Sequence, residues 1–254
     1  MSEYADNEIL LYDLSNRPAS FDFVTCLSTA VTHGVKHVRF VIDQGWKKKD
    51  YDNPEERFWN IVEPAVALYG LTYSIGERKG TEYLHILKTA LDTYHHFGRL
   101  AKIPVRCDPQ SYVTVTLRKS RCPERDSKDH EWVEFAERCG RKALILRDYS
   151  ERPLLLEDRM QLYAGAYMNL MVINGPLTLC LHSDAPFICM RTIGADKSGS
   201  TSPQQITRLT GITQGFQYPW MGENQHLSYL DDTADNIMAE YKMMERRLLE
   251  RKAA

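Results

Sequence analysis

The sequence predicts an α/β fold of two Rossmann-like lobes, each a parallel sheet covered by helices, that face a cleft. Strand-type apolar runs alternate with helix-type segments in two successive series, and the irregular, proline-containing segment 101–111 separates them. Such alternation is typical of parallel sheets with crossover helices. The 254 residues, 43% of them hydrophobic, are enough to build two cores. We therefore expect an N-terminal lobe over 1–105 and a C-terminal lobe over 106–254.

The first series contains three strands and three helices. Strand-type runs cover 8–14, 36–43 and 71–76, and helix-type segments cover 21–34, 54–69 and 81–100. Gly34 and Gly70 close the first two helices, as glycine commonly does. Pro64 predicts a kink in the second helix because proline removes a backbone donor.

The second series repeats the alternation. The sequence predicts strands at 112–118, 142–148, 170–174 and 186–193, helices at 132–140, 156–169 and 232–252, and a polar loop at 195–205. The last helix is charged. Its apolar positions would pack either within the lobe or against a second copy of the chain, so a homo-oligomer is one of the two alternatives.

The composition limits the kinds of binding partner and the cellular compartment that we expect for this chain. The net charge of −2 predicts neither nucleic acid nor a membrane surface as partner. The six cysteines form no CxxC pair and no disulfide pattern, which favours a reducing cytoplasm. The acidic N-terminus lacks the basic region of a signal peptide, and no apolar run reaches the roughly 18 residues of an integral membrane segment.

The stretch 171–182, MVINGPLTLCLH, is the most informative of the chain. A strand-type run stops at Asn174, Gly175 and Pro176, and a segment that would begin a helix follows. Glycine admits close backbone approach, and the free N–H groups of a helix N-terminus suit a phosphate. An ordinary loop that closes a βα unit is the alternative.

A basic loop follows the predicted strand 112–118 and reads RKSRCPER. Arginine pairs with phosphate oxygens in a bidentate manner, so Arg118 and Arg121 at the carboxyl end of a strand would suit a diphosphate. A solvated surface loop is the alternative.

Candidate substrate residues lie in both lobes. Tyr12, Asp13 and Arg17 end the first strand; Asp13 would act as a general base or cap the next helix. Asp43 ends the second strand, where acids bind ribose hydroxyls in dinucleotide folds, but the glycine fingerprint of those folds is missing. Trp220 and Gln225 would stack on a base or sugar, or pack the last helix against the body.

Other chemistries lack their motifs. His33 and His37 have metal-ligand spacing on a helix, but Gly34 ends the helix between them, so we expect no metal site. Neither a GxSxG elbow nor a GxxxxGK[ST] loop is present.

Residues 112–241 resemble the C-terminal domain of GT-B glycosyltransferases, in particular the bacterial surface-polysaccharide enzymes of the heptosyltransferase or fucosyltransferase type. The likeness lies in VTVTLR (113–118), LILRD (144–148), the segment 163–190 around the NGP bend, and 216–241. The corresponding heptosyltransferase turn usually reads Asp-Thr-Gly.

This resemblance implies a metal-independent glycosyltransferase without a cofactor. It would move a sugar from a nucleotide-sugar donor to a glycan or other hydroxyl acceptor. Arg118, Arg121 and the NGP bend would hold the donor phosphates, and Asp13 would deprotonate the acceptor. The alternatives are a non-catalytic sugar-nucleotide-binding or assembly protein on the same scaffold, and a related epimerase or hydrolase.

Overall fold

The computed structural model describes residues 4–43, 45–46, 53–78, 80–82, 86–120, 123–147, 154–192, 204, 207, 213 and 215–253, with the side chains of 86–87 and 251–253 left aside. The chain forms two compact units. Unit 1 comprises 1–104 with 155–157, and unit 2 comprises 105–154 with 158–254.

Unit 1 is built on a three-stranded parallel sheet of order β1-β2-β3. Its elements are β1 (Ile9–Asp13), α1 (Asp22–Thr32), β2 (His37–Val41), α2 (Pro54–Arg57), α3 (Glu63–Leu68), β3 (Thr72–Ile75) and α4 (Ile86–Phe97). β1 also forms an isolated parallel bridge to Thr81 on its other side. Every residue of β1 is buried, which is typical of a parallel strand covered on both faces.

The predicted kink near Pro64 takes a specific form. A π-helical turn, Phe58–Val62, joins α2 to α3. Pro64 has no N–H, and its ring would clash with a carbonyl four residues earlier in a regular helix. The wider turn relieves both problems, so one rod of helix continues through the proline.

Unit 2 is built on a five-stranded parallel sheet of order β5-β4-β6-β7-β8. Its elements are β4 (Tyr112–Leu117), α5 (Asp129–Arg138), β5 (Lys142–Arg147), α6 (Leu156–Gly165), β6 (Met168–Val172), α7 (Leu177–Leu181), β7 (Phe187–Met190), β8 (Gln225–Leu227) and α8 (Ala234–Ala253). The first two residues of α6 belong to unit 1. The predicted α/β class with two parallel sheets is therefore confirmed.

Helices cover both faces of the unit 2 sheet. On one face, α5 packs over β4 and β5, and α8 packs against α5 and β7. The residues of the two helices in this core include Trp132, Phe135, Ile237 and Tyr241, all fully or almost fully buried. α8 thus uses its apolar stripe within the unit. On the other face, α6 contacts β4.

The contact with α6 runs through polar groups. Thr116 and Tyr163 join their hydroxyls at 2.8 Å. Asn169 accepts a hydrogen bond from the Thr114 hydroxyl at 2.6 Å and donates to the carbonyl oxygen of Tyr163 at 2.9 Å.

Three sequence predictions for unit 2 need correction or lie outside the described residues. The helix predicted over 156–169 ends at Gly165, and β6 begins at Met168. β8, within 215–233, is not predicted from the sequence, because its three residues, QHL, give no periodic signal. Most of the predicted polar loop 195–205 lies outside the described residues.

Among the described residues, none of the helices combines the length and the apolar character that a membrane crossing requires.

Candidate functional site

The order of the strands in unit 2 creates a switch point between β4 and β6. The chain moves from β4 to β5 on one side and then returns to place β6 on the other side. In open α/β sheets, ligands bind outside the carboxyl ends of the strands where the strand order reverses. The residues that follow β4 and β6 therefore occupy the position where such folds bind ligands.

The structure brings Arg118 and the NGP bend together at this switch point. Arg118 directly follows β4, and its guanidinium donates to the carbonyl oxygen of Ile173, the residue before Asn174. Its main chain is fixed as well, because its N–H donates to the Ser127 hydroxyl at 2.8 Å and its carbonyl oxygen accepts from the Ser127 N–H at 3.0 Å. Arg121 lies outside the described residues.

The bend differs from the prediction in how its N–H groups are used. α7 has only five residues, too few for a strong dipole. The side-chain oxygen of Asn174, Oδ1, accepts from the Leu177 N–H at 3.0 Å, and the main-chain carbonyl oxygen of Gly175 accepts from the Thr178 N–H at 3.1 Å. The sequence argument assigned these free N–H groups to phosphate, but the Asn174 side chain caps the helix instead.

Asn174 contributes a different donor. Its amide nitrogen, Nδ2, is buried and has no hydrogen-bond partner among the described residues. A buried unpaired donor costs about 1–3 kcal/mol. Such groups are rare in native proteins, and each calls for an explanation, a functional role being one. This buried amide nitrogen belongs to the residue that follows Ile173, whose carbonyl oxygen accepts from the Arg118 guanidinium.

A second arginine on this edge escaped the sequence argument, which placed it inside the strand 186–193. β7 ends at Met190, and Arg191 follows it. The pairing of Thr116 with Met171, and of Val172 with Met190, aligns Arg118, Ile173 and Arg191 in one row across the sheet. Neighbouring strands lie about 4.8 Å apart, so the two arginines flank the end of β6.

The predicted residues Trp220 and Gln225 lie at the opposite, amino edge of the sheet. Gln225 begins β8 and is buried, and its amide nitrogen, Nε2, donates to the carbonyl oxygens of Ser183 and Ala185, which precede β7. Trp220 stacks on His182, which follows α7, with the ring centres 6.0 Å apart. The structure therefore separates these two residues from Arg118 and gives both a packing role.

Tyr12 and Arg17 in unit 1 are also engaged within the protein. Tyr12 is buried against Phe23, with the ring centres 4.5 Å apart, and its hydroxyl donates to the carbonyl oxygen of Pro18 at 3.2 Å. Burial raises the pKa of Tyr12 well above its ordinary value. The Arg17 guanidinium lies 5.5 Å from the centre of the Tyr12 ring and 3.8 Å from the Glu82 carboxylate. Tyr12 is thus a core residue.

Asp13 and Asp43 meet through Arg78, which the sequence argument did not consider. The Arg78 guanidinium pairs with the buried Asp13 carboxylate and, through Nε, with Asp43 at 3.0 Å. Asp13 also accepts from the Ser15 N–H at 2.8 Å and from the Asn16 amide. Three elements thus converge, since Asp13 ends β1, Asp43 follows β2 and Arg78 follows β3.

This pairing determines the chemistry of Asp13. Burial alone would raise the pKa of its carboxyl, but the hydrogen bonds from Arg78, Ser15 and Asn16 outweigh burial and lower it. A carboxylate held in this way is ionised near neutral pH but is a weak base. Asp13 therefore holds Arg78 firmly, and its predicted role as a base would require Arg78 to move away.

Comparisons with known proteins give little further guidance. No protein-family model matches the chain, and no curated protein matches it at a significant level. A solved structure that resembles it is TibC, a bacterial iron-containing dodecameric glycosyltransferase from enterotoxigenic E. coli H10407, with 13% identity and a TM-score of 0.44. The match covers 85% of this chain and 62% of the TibC chain. A likeness this distant assigns neither an activity nor a site to this chain, and both must come from its own residues.

Proposed function

We propose that this chain is a glycosyltransferase and that it binds the diphosphate of a nucleotide-sugar donor at the carboxyl edge of the unit 2 sheet. The observation that carries the proposal is the meeting of Arg118 with the Asn174 bend at the switch point between β4 and β6. This edge is where folds of this class bind ligands. It carries the positive charge of Arg118, and the Asn174 amide nitrogen there has no hydrogen-bond partner among the described residues.

Glycosyl transfer leaves negative charge on the departing diphosphate. A guanidinium fixed before the reaction stabilises that charge without reorganisation, and it does so more strongly where water is excluded. Arg118 is already oriented by Ile173 and Ser127, and the Asn174 amide adds a neutral donor. The proposal therefore draws its positive charge from side chains and makes no use of a metal.

The first test is binding of UDP and GDP by calorimetry to the wild type and to Arg118→Ala. Charge-assisted hydrogen bonds contribute about 1.5–3 kcal/mol, so the variant should bind about 10–150 times more weakly. Arg246→Ala is the matched control, because Arg246 is an exposed arginine on α8 whose Nε donates to the carbonyl oxygen of Lys242 in the same helix. Equal affinity of the wild type and Arg118→Ala would remove the central claim.

Turnover separates the enzyme classes. A panel of sugar nucleotides is incubated with and without hydroxyl acceptors, and nucleoside diphosphate release is measured. Release that requires an acceptor supports a transferase, whereas release without one indicates a hydrolase. A changed sugar without release indicates an epimerase.

A non-catalytic sugar-nucleotide-binding protein is the second candidate. The observation that favours it is the Asp13–Arg78 pair, because the predicted base is buried and neutralised. This candidate predicts diphosphate binding at Arg118 with no turnover of any donor, whatever the acceptor.

A further inference from the structure

Arg191 has an unusual backbone conformation. Its φ is 51°, and among the described residues it is the one non-glycine residue with a positive φ. Side chains with a Cβ are strained in this region, so the surrounding structure must hold them there. The main-chain bonds from the Arg191 N–H to Leu230 and from the Thr192 N–H to Ser228, both 3.0 Å, do so.

The strained backbone directs the guanidinium into the segment between β4 and α5. Nη2 donates to the carbonyl oxygen of Asp126 at 2.5 Å, and Nη1 donates to the carbonyl oxygen of Glu124 at 3.2 Å. Nε lies 3.3 Å from the Asp232 carboxylate. Arg191, at the end of β7, thus contacts both Glu124 and Asp126 in the segment between β4 and α5, and Asp232 just before α8.

Asp232 connects Arg191 to the start of α5 through further hydrogen bonds. The carboxylate is fully buried, and its Oδ2 accepts from the Lys128 N–H at 3.0 Å and from the Trp132 indole N–H at 2.9 Å. Lys128 and Trp132 lie at the start of α5. The segment is therefore fixed at Glu124 and Asp126 through Arg191, and at α5 through Asp232.

The fastened segment leads directly to Arg118. Asp126, which accepts from Arg191, precedes Ser127. Ser127 exchanges two hydrogen bonds with the main chain of Arg118. Arg191 is thus linked to Arg118 through two successive residues, and its backbone lies level with Ile173, which accepts from the Arg118 guanidinium.

We propose that Arg191 is a positioning residue that sets the Arg118 guanidinium for diphosphate binding through Asp126 and Ser127. The role rests on the proposed function of the site. Arg191 uses its fork on two carbonyl oxygens and a carboxylate, so its own contribution to the anion is indirect. Lysine keeps the charge but cannot reproduce this three-way contact.

The test compares UDP and GDP affinity in a double-mutant cycle of Arg191→Gly and Arg118→Lys. Glycine adopts the positive φ without strain, so this substitution removes the whole side chain without a steric penalty from the backbone. We expect Arg191→Gly to weaken binding about tenfold in the wild-type background and less than about twofold in the Arg118→Lys background, because interacting residues are non-additive. Arg191→Lys, which keeps a cation beside Asp232, is measured in parallel as the variant less prone to unfold.

Hydrogen exchange at the Arg118 N–H, which donates to Ser127, supplies a readout that needs no ligand. We expect it to accelerate in both Arg191 variants at a temperature where the fold is intact by circular dichroism. Unchanged exchange and unchanged affinity overturn the positioning role alone. An equal loss of affinity in both backgrounds also overturns it, because Arg191 would then act independently of Arg118. A wild type that binds neither nucleotide overturns the proposed function itself.

Discussion

Gln225, which the sequence offers as a ligand-binding residue, has a fastening role in the structure: its side chain holds neighbouring segments together. Its Nε2 donates to the carbonyl oxygens of Cys180, Ser183 and Ala185 at 2.8, 2.9 and 3.1 Å, and its Oε1 accepts from the Gly222 N–H at 3.0 Å. Both amide hydrogens and the carbonyl are therefore used inside the protein. We expect the substitution Gln225→Met, which keeps the length of the side chain, to reduce stability and leave nucleotide affinity unchanged.

The size of the effect follows from these contacts. Two hydrogens shared among three carbonyl oxygens, together with one accepted bond, amount to about three hydrogen bonds at about 1 kcal/mol each, so Gln225→Met should cost about 3 kcal/mol. For a chain of this size, each kcal/mol lowers Tm by roughly 2–4 °C, which gives a decrease of roughly 6–12 °C. The buried position of Gln225 prevents water from replacing the lost partners.

Thermal unfolding by calorimetry measures this change, and titration with UDP and GDP follows on the same samples. Gln217→Met is the matched control: Gln217 also bonds to strand β8, at the N–H and carbonyl oxygen of Leu227, but it is exposed. Water can replace those bonds, so the control should stay within about 1 kcal/mol of the wild type. A Gln225→Met protein with unchanged Tm and lost nucleotide binding would refute the fastening role and support the original prediction from sequence.

Two further predictions concern unit 1. A Cβ at Gly80, whose φ is 132°, would lie 2.8 Å from both Cγ2 and the carbonyl oxygen of Ile9, so Gly80→Ala should cost about 2–4 kcal/mol in urea unfolding. Gly98→Ala, with a φ of 68° and open space around it, should cost only about 1–2 kcal/mol; equal costs would contradict the steric argument. The lowered pKa of Asp13 means that its stabilising contribution is complete above its ordinary value of about 3.9 and is lost as pH falls through the lower folded value. Arg78→Ala should raise that pKa and move the acid-unfolding midpoint, followed by circular dichroism, to higher pH; an unchanged midpoint would show that the pair contributes nothing.

Local patterns were sufficient for most of the elements. The apolar periodicity over 21–34 predicted α1, and the period was correct because a helix forms its hydrogen bonds within four residues. β8 was missed because a three-residue strand is stabilised by its partner β7 and leaves no pattern of its own. The helix over 156–169 was predicted too long because β6 begins where Met168 pairs with Val113, far away in the sequence.

The candidate site was partly visible in the sequence. Arg118 and the NGP bend were predicted from residue type and from their positions after strands, and the structure places them side by side. Arg78 and Arg191 were missed because each is important through partners far away in the sequence: Asp13 lies 65 residues from Arg78, and Asp126 lies 65 residues from Arg191. Nothing in the local sequence marks such partners.

The order of residues is enough to predict the alternation of strands and helices and the parallel sheets that follow from it, because these depend on hydrogen bonds and periodicities between near neighbours. The edge of a sheet that each polar residue occupies is known only from the folded structure. It placed Arg118 beside Asn174, and it put Gln225 at the opposite edge, where its amide is used up by carbonyl oxygens. Strand order and register set these positions, and both arise from contacts between distant segments that no local pattern encodes.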